Sequence, residues 1–116
     1  TYDLSGARSA FIRDNPEFIR MWTTVQSWAS NLLNTDPQRA AEHIAAQLGV
    51  SVEQVAQQIK GYDYFDAATQ AGPEYLGGQL AVDIRRTAEF LLQQGEVQGV
   101  GPLQHYVDGV YSEGTR

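Results

Sequence analysis

The sequence predicts a mainly α-helical chain with four to five helices after one short N-terminal strand. Apolar residues recur at spacings of three and four over most of the 116 residues, which is the pattern of amphipathic helices. Capping residues precede these stretches, and glycine or proline ends them. Only the first residues, TYDL, favour an extended strand. The length suits one domain with a modest core.

Composition narrows the classes of function. The chain is 42% hydrophobic and 19% charged, as in globular proteins. Its net charge of −6 argues against sequence-independent binding of nucleic acid, which needs clustered Lys and Arg. The same charge disfavours docking on anionic lipid. Cysteine is absent, which excludes disulfides, thiolate metal sites and a cysteine nucleophile and suits an oxidising compartment.

The N-terminal segment, residues 1–8, is expected to form the strand. A single strand needs partners, which would come from another chain or from another part of a longer protein. The sequence starts with Thr1 and shows no basic region followed by an apolar one. We therefore expect either a removed leader or a piece of a longer protein.

The longest predicted helix covers residues 16–33. Asn15 as N-cap, Pro16 at the first helical position and Glu17 in the first turn form its start signal. Its apolar stripe consists of Phe18, Trp22, Val25, Ala29 and Leu32.

The aromatic residues of this helix have two interpretations. Phe18, Trp22 and Trp28 could stack on a ligand, but aromatic residues at helical spacing inside an apolar stripe are more often core. We therefore expect these three side chains to be buried.

The ends of the remaining helices are predicted from capping residues. Asp36 and Pro37 begin the second helix, and Ser51 with Gln54 forms a capping box for the third. Gly95 ends the fourth, and the last is a short helix or turn. The predicted ranges are residues 38–49, 52–60, 79–94 and 103–111.

Residues 38–60 also have the form of a DNA-binding helix-turn-helix. Its second helix has one base, Lys60, and carries Glu53 near its start, so phosphate contacts would be few. A helix-turn-helix-like DNA-binding module, or a small helical protein-interaction domain, remains the alternative function.

No residue pattern indicates catalysis, a metal site or a cofactor. His43 and His105 stand apart, with no carboxylate at ligand spacing. Ser5 lacks the G-x-S-x-G of a nucleophile elbow. Asp63 and Asp66 flank aromatic residues and could act as acid and base, but caps and loop charges are commoner. We expect a chain that is not an enzyme.

The order of several short motifs is informative. Residues 1–3 (TYD) are followed by Arg8, Phe11 and the Asn-Pro-Glu helix start at residues 15–17. Later come the NTDP turn, the KG that closes a helix before an aromatic loop, and the helix end T-A-x-F-L-x-x-Q-G-x-V, at residues 34–37, 60–61 and 87–97. This order closely resembles the C-terminal segment of the solute-binding proteins of taurine and aliphatic-sulfonate ABC importers. The resemblance covers essentially the whole chain, and the shared order carries it.

The resemblance implies the C-terminal part of a periplasmic-binding-protein-like α/β lobe. Residues 1–8 would be the strand that enters from the hinge, and residues 9–116 the helical cover. The helix at residues 16–33 would pack on other helices of its lobe and on a sheet outside this chain. The glycine-containing LSGAR replaces a bulkier β-branched run in the family, so we expect a short or distorted strand.

The resemblance also implies a ligand and partners. The carboxylate of Asp3 would pair with the ammonium group of a taurine-like ligand, with Tyr2 as its neighbour, although Asp3 could equally be a strand-end acid in solvent. The implied partners are a small sulfonate such as taurine and an ABC permease, with no nucleic acid. The implied location is periplasmic, or extracellular and lipid-anchored. Without the other lobe, the exposed apolar face would favour self-association.

Overall fold

Helices account for all the regular secondary structure that the computed structural model shows in residues 1–113, the part of the chain that it describes. The elements are α1 (Ser9–Asp14), α2 (Pro16–Thr35), α3 (Pro37–Leu48), α4 (Val52–Ile59), α5 (Ala67–Gln70), α6 (Gln79–Gln93) and α7 (Leu103–Gly109). The predicted mainly helical class is confirmed. The α/β lobe of which these helices would be a part stays a prediction.

Two details differ from the sequence prediction. Residues 1–8 form no strand, because a strand needs a hydrogen-bonding neighbour and no other strand occurs in residues 1–113. The helices in this range number seven rather than four to five. The additional ones, α1 and α5, have six and four residues, which is too short for a helical period to be visible in the sequence.

The best-defined unit is the α3–α4 pair. Asp36 caps α3 by accepting a hydrogen bond from the backbone N–H of Arg39 at 3.2 Å. The capping box predicted from Ser51 and Gln54 is confirmed at the start of α4. Gly49 ends α3 with φ 67°, a left-handed conformation that costs glycine little. In each helix a side-chain cap therefore satisfies one of the free backbone N–H groups of the first turn.

Small side chains let α3 and α4 approach closely. Ala41 and Ala45 of α3 are buried against Val55 of α4. Partly buried apolar residues surround these three, namely Ile44, Val52, Ala56 and Ile59. This cluster is the hydrophobic core of the N-terminal half of the chain.

The segment between α4 and α6 packs on the polar side of α2. The hydroxyl of Ser27 accepts a hydrogen bond from the N–H of Ala67 at 3.1 Å. The Asn34 amide donates to the carbonyl of Tyr64 at 2.8 Å. The face of α2 that is satisfied within the chain is thus the face with hydroxyl and amide side chains.

Helices α6 and α7 form a second packed pair. Leu80 and Ala81 are the buried residues of α6. The guanidinium of Arg85 donates to the carbonyl of Gly101 at 3.4 Å, and the N–H of Gly101 donates to the hydroxyl of Tyr106 at 3.3 Å. These contacts fix the loop between the two helices. No helix in residues 1–113 combines the length and hydropathy needed to cross a membrane.

The molecule is more open than its length requires. Its radius of gyration is 16.8 Å, whereas a compact domain of this length has about 13 Å. Its accessible surface is 8683 Å², whereas a folded monomer of this mass exposes about 6,300 Å². The helices therefore leave a large surface without internal contacts.

Candidate functional site

A regular apolar surface lies along α2. Phe18, Met21, Val25 and Trp28 follow one another at spacings of three, four and three, and Trp22 lies beside them on the same face. We call these five residues the α2 seam. Each of the five side chains is between 44% and 62% exposed. Exposed apolar patches of this size are typical of surfaces that bind a protein, a membrane or a ligand.

The exposure of the seam corrects the sequence prediction. Phe18, Trp22 and Trp28 were expected in the core, yet all three are exposed. The reason is that the chain covers a different side of α2, where Ser27 and Asn34 hold the following segment. Within α2, only Ile19 is buried.

Helix α3 packs against α2 next to the C-terminal end of the seam and leaves a shallow groove there. The groove has a volume of about 170 Å³ and is lined by Trp28, Ala29, Leu32, Leu33, Ala40, His43 and Ile44. Pockets for small molecules usually exceed about 300 Å³. The groove is therefore better described as a continuation of the α2 seam than as a ligand pocket.

A polar cluster joins the N-terminal segment to α6. The hydroxyl of Tyr2 donates a hydrogen bond of 2.6 Å to Oδ2 of Asp83. The other oxygen of Asp83 accepts from the Gln79 amide at 2.9 Å and lies 3.6 Å from the Arg86 guanidinium. Asp83 is therefore the residue that holds this cluster together.

The hydrogen bonds fix the protonation states in the cluster. The bond to Asp83 raises the pKa of the Tyr2 phenol above its usual value. The bonds from Tyr2 and then Gln79 lower the pKa of the Asp83 carboxyl below its usual value. A neutral phenol and a carboxylate are the pair that this geometry favours.

The two residues predicted to bind ligand have different surroundings. Tyr2 is tied to α6 through Asp83, whereas Asp3 is exposed and makes no hydrogen bond or ion pair with residues 1–113. Because Tyr2 gives its single proton to Asp83, its oxygen can only accept a further hydrogen bond. Tyr2 and Asp3 together offer acceptors, which suit an ammonium group rather than a sulfonate.

Sequence inspection missed the role of Asp83. It lies 81 residues from Tyr2 along the chain, and no local pattern connects the two. The only sequence signal was the spacing of Gln79 and Asp83, four residues apart on α6, which allows a hydrogen bond between their side chains.

The remaining candidate residues, Asp66, His43 and His105, are a helix cap and two exposed side chains. Asp66 is the N-cap of α5, and the 2.7 Å hydrogen bond from the N–H of Thr69 lowers the pKa of its carboxyl. His43 lies on α3 and His105 on α7, and both are exposed. Within residues 1–113, no three His, Asp or Glu side chains are grouped as metal ligands would be.

The chain matches none of the protein-family models, curated proteins or solved structures with which it was compared. The resemblance to sulfonate-binding proteins rests on the order of sequence motifs and stays a prediction.

Proposed function

We propose that the chain is part of an extracytoplasmic solute-binding protein that delivers taurine or a related small sulfonate to an ABC importer. The α2 seam carries this proposal. An amphipathic helix of 20 residues is stabilised mainly by burying its apolar face. Here most of that face stays exposed. At one end Phe11 of α1 contacts Phe18 edge-on, with 5.5 Å between the ring centroids. At the other end α3 lies beside Ala29 and Leu32. Such exposure is expected of a helix whose packing partners belong to the rest of a lobe.

The open shape of the molecule supports the same proposal. The accessible surface of 8683 Å² exceeds that of a typical monomer of this mass by nearly two fifths. The N-terminal segment is likewise uncovered, since residues 1–7 are all exposed and lie outside any helix. A sheet and a second lobe would cover these surfaces in the parent protein.

In this proposal Asp3 and Tyr2 bind the ligand. A taurine-like ligand has an ammonium group with three N–H donors and a sulfonate with acceptors only. The Asp3 carboxylate and the Tyr2 oxygen would accept from the ammonium, while groups of the other lobe would hold the sulfonate. Closure of two lobes about the hinge would then present the loaded form to the permease.

Titration of the natural gene product with taurine tests this function. Its intact mass is measured first, and calorimetry of that product with taurine follows. We expect a product much longer than 116 residues that binds taurine, and a loss of about tenfold or more in affinity for Asp3→Asn, because a charge-assisted hydrogen bond is removed. Asp63→Asn, an exposed acid in another loop, is the matched control.

Two results would contradict different parts of the proposal. A full-length product that does not bind taurine or another small sulfonate removes the transport function. Equal affinity of the wild-type protein and Asp3→Asn removes Asp3 from the site while leaving the transport function in place.

A helical protein-interaction domain is the second candidate, and the uncharged α2 seam favours it. In this case the 116-residue chain would unfold cooperatively by itself and bind a partner through α2. DNA binding through α3 and α4 remains an alternative without a supporting observation.

A further inference from the structure

We infer that the α2 seam of the 116-residue chain binds the α2 seam of a second copy. The two helices would run antiparallel about a two-fold axis that passes between Trp22 and Val25. This inference goes beyond the proposed function, because it concerns the 116-residue chain by itself, whereas in the proposed parent protein the rest of the lobe would cover the seam.

The area of the seam is sufficient for a dimer. Its five side chains, each 44–62% exposed, present on the order of 500 Å² of apolar surface. Pairing two seams would bury about 1,000 Å² in total, which is near the lower limit for a specific protein interface. Interfaces at that limit are usually transient, so we expect a dissociation constant in the micromolar range.

The spacing of the seam favours a helix as the partner. Phe18, Met21, Val25 and Trp28, followed by Leu32, alternate in steps of three and four residues. This is the a/d pattern of helices that pack side by side with interlocking side chains. A second α2 has the same spacing, so the side chains of the two seams can alternate along a shared interface.

Charge does not oppose a second copy at this surface. The chain has a net charge of −6, which repels two copies in general. Residues 21–35, however, contain no Asp, Glu, Lys or Arg. Two molecules can therefore meet along this part of α2 without placing like charges opposite one another.

The ends of α2 favour the antiparallel direction. Glu17 and Arg20 form an ion pair in its first turn, whereas its last turns are uncharged. Antiparallel packing keeps the two charged turns apart and lets the helix dipoles oppose each other.

Sedimentation velocity of the 116-residue chain over about 1 to 100 µM tests the inference. We expect a monomer–dimer equilibrium that shifts toward the dimer as concentration rises. Trp22→Glu and Trp28→Glu should each weaken the dimer at least tenfold, because each places a charge in the interface. Tyr62→Glu is the matched control, since Tyr62 is also an exposed aromatic residue but lies outside the seam. Far-UV circular dichroism of each variant verifies that the helices persist.

Two results would overturn the inference. One is a single 12.8 kDa species at every concentration. The other is association that Tyr62→Glu weakens as much as the seam variants do, or that the seam variants leave unchanged. These outcomes are independent of taurine binding, which concerns Asp3 and Tyr2.

Single cysteines test the direction of the helices, because the chain has none of its own. In the antiparallel dimer Val25→Cys lies near the axis and should form a disulfide-linked dimer under mild oxidation. Phe18→Cys lies far from its counterpart and should not. Equal cross-linking at both positions would indicate parallel helices and contradict the proposed arrangement.

Discussion

Helix α2 and the α3–α4 pair use apolar residues in opposite ways. In α3 and α4 small residues, Ala41 and Ala45, are fully covered with Val55. In α2 the largest side chains of the chain, including both tryptophans, are exposed. The comparison teaches that an amphipathic pattern identifies a face that can be buried, but not whether its partner lies in the same chain.

A buried charge gives the largest expected contrast. Ala41→Asp should lower the free energy of unfolding by about 3–5 kcal/mol, because Ala41 is fully buried and the new carboxylate would have no partner. Ala46→Asp on the exposed side of the same helix should cost about 1 kcal/mol, mainly through helix propensity. Urea unfolding followed by circular dichroism at low protein concentration measures both. Equal losses would mean that the α3–α4 core is not formed.

The same substitution in both regions gives the next contrast. Val55→Ala should cost about 2 kcal/mol, from the lost burial of two methyl groups and the cavity left behind. Val25→Ala should change monomer stability by less than about 0.5 kcal/mol, since Val25 is half exposed. Urea unfolding of the two variants side by side provides the measurement. A loss at Val25 as large as that at Val55 would place the seam inside the folded chain.

The N-terminal caps of α4 and α2 give a third contrast, with smaller expected changes in stability. Ser51→Ala removes a capping box and should cost about 1 kcal/mol. Asn15→Ala should cost less than about 0.5 kcal/mol, because the Asn15 side chain does not cap α2 and donates instead to the carbonyl of Phe11. Thermal unfolding of the two variants tests this order, and the reverse order would contradict the cap assignments.

The smallest effect concerns pH and the Tyr2–Asp83 contact. The pKa of Asp83 is lowered and that of Tyr2 is raised. Stabilisation from Asp83 is therefore lost as pH falls through its folded pKa, and that from Tyr2 is lost as pH rises through its folded pKa. The contact should contribute fully between about pH 4 and pH 10.

NMR titration of the tyrosine rings measures this contact. Asp83→Asn should bring the pKa of Tyr2 back toward its usual value. The pKa of Tyr64, which burial raises, should not change in that variant and serves as the internal control. An unchanged Tyr2 pKa in Asp83→Asn would show that the hydrogen bond does not form in solution.

The longer helices could be predicted from the sequence. For α2, α3, α4 and α6 the predicted bounds agree with the structure to within about two residues. The exception among the caps is Asn15, whose side chain does not cap α2. The capping box at Ser51 was predicted correctly, because its hydrogen bonds are local. Local signals of this kind depend only on neighbours in sequence, which explains their success.

The remaining features depend on contacts that a sequence pattern does not contain. Burial of Trp22 and Trp28 was predicted from spacing alone, but the segment that follows α4 covers the opposite side of α2. The strand at residues 1–8 needs a partner strand. The Tyr2–Asp83 contact joins residues 81 positions apart. In the candidate site, Asp3 and Tyr2 came from a resemblance rather than from physical chemistry, so their roles stay predictions.

The central claim is that the α2 seam is exposed to solvent in the folded chain. Acrylamide quenching of tryptophan fluorescence tests it most directly. Both tryptophans of the protein, Trp22 and Trp28, lie on the seam, so the signal reports on no other region. In the monomer at low concentration, we predict quenching well above that of a buried tryptophan, because Trp22 and Trp28 are 44% and 62% exposed. We predict further protection as concentration rises. Strong protection in the monomer would show that the chain buries its own seam and would contradict the account.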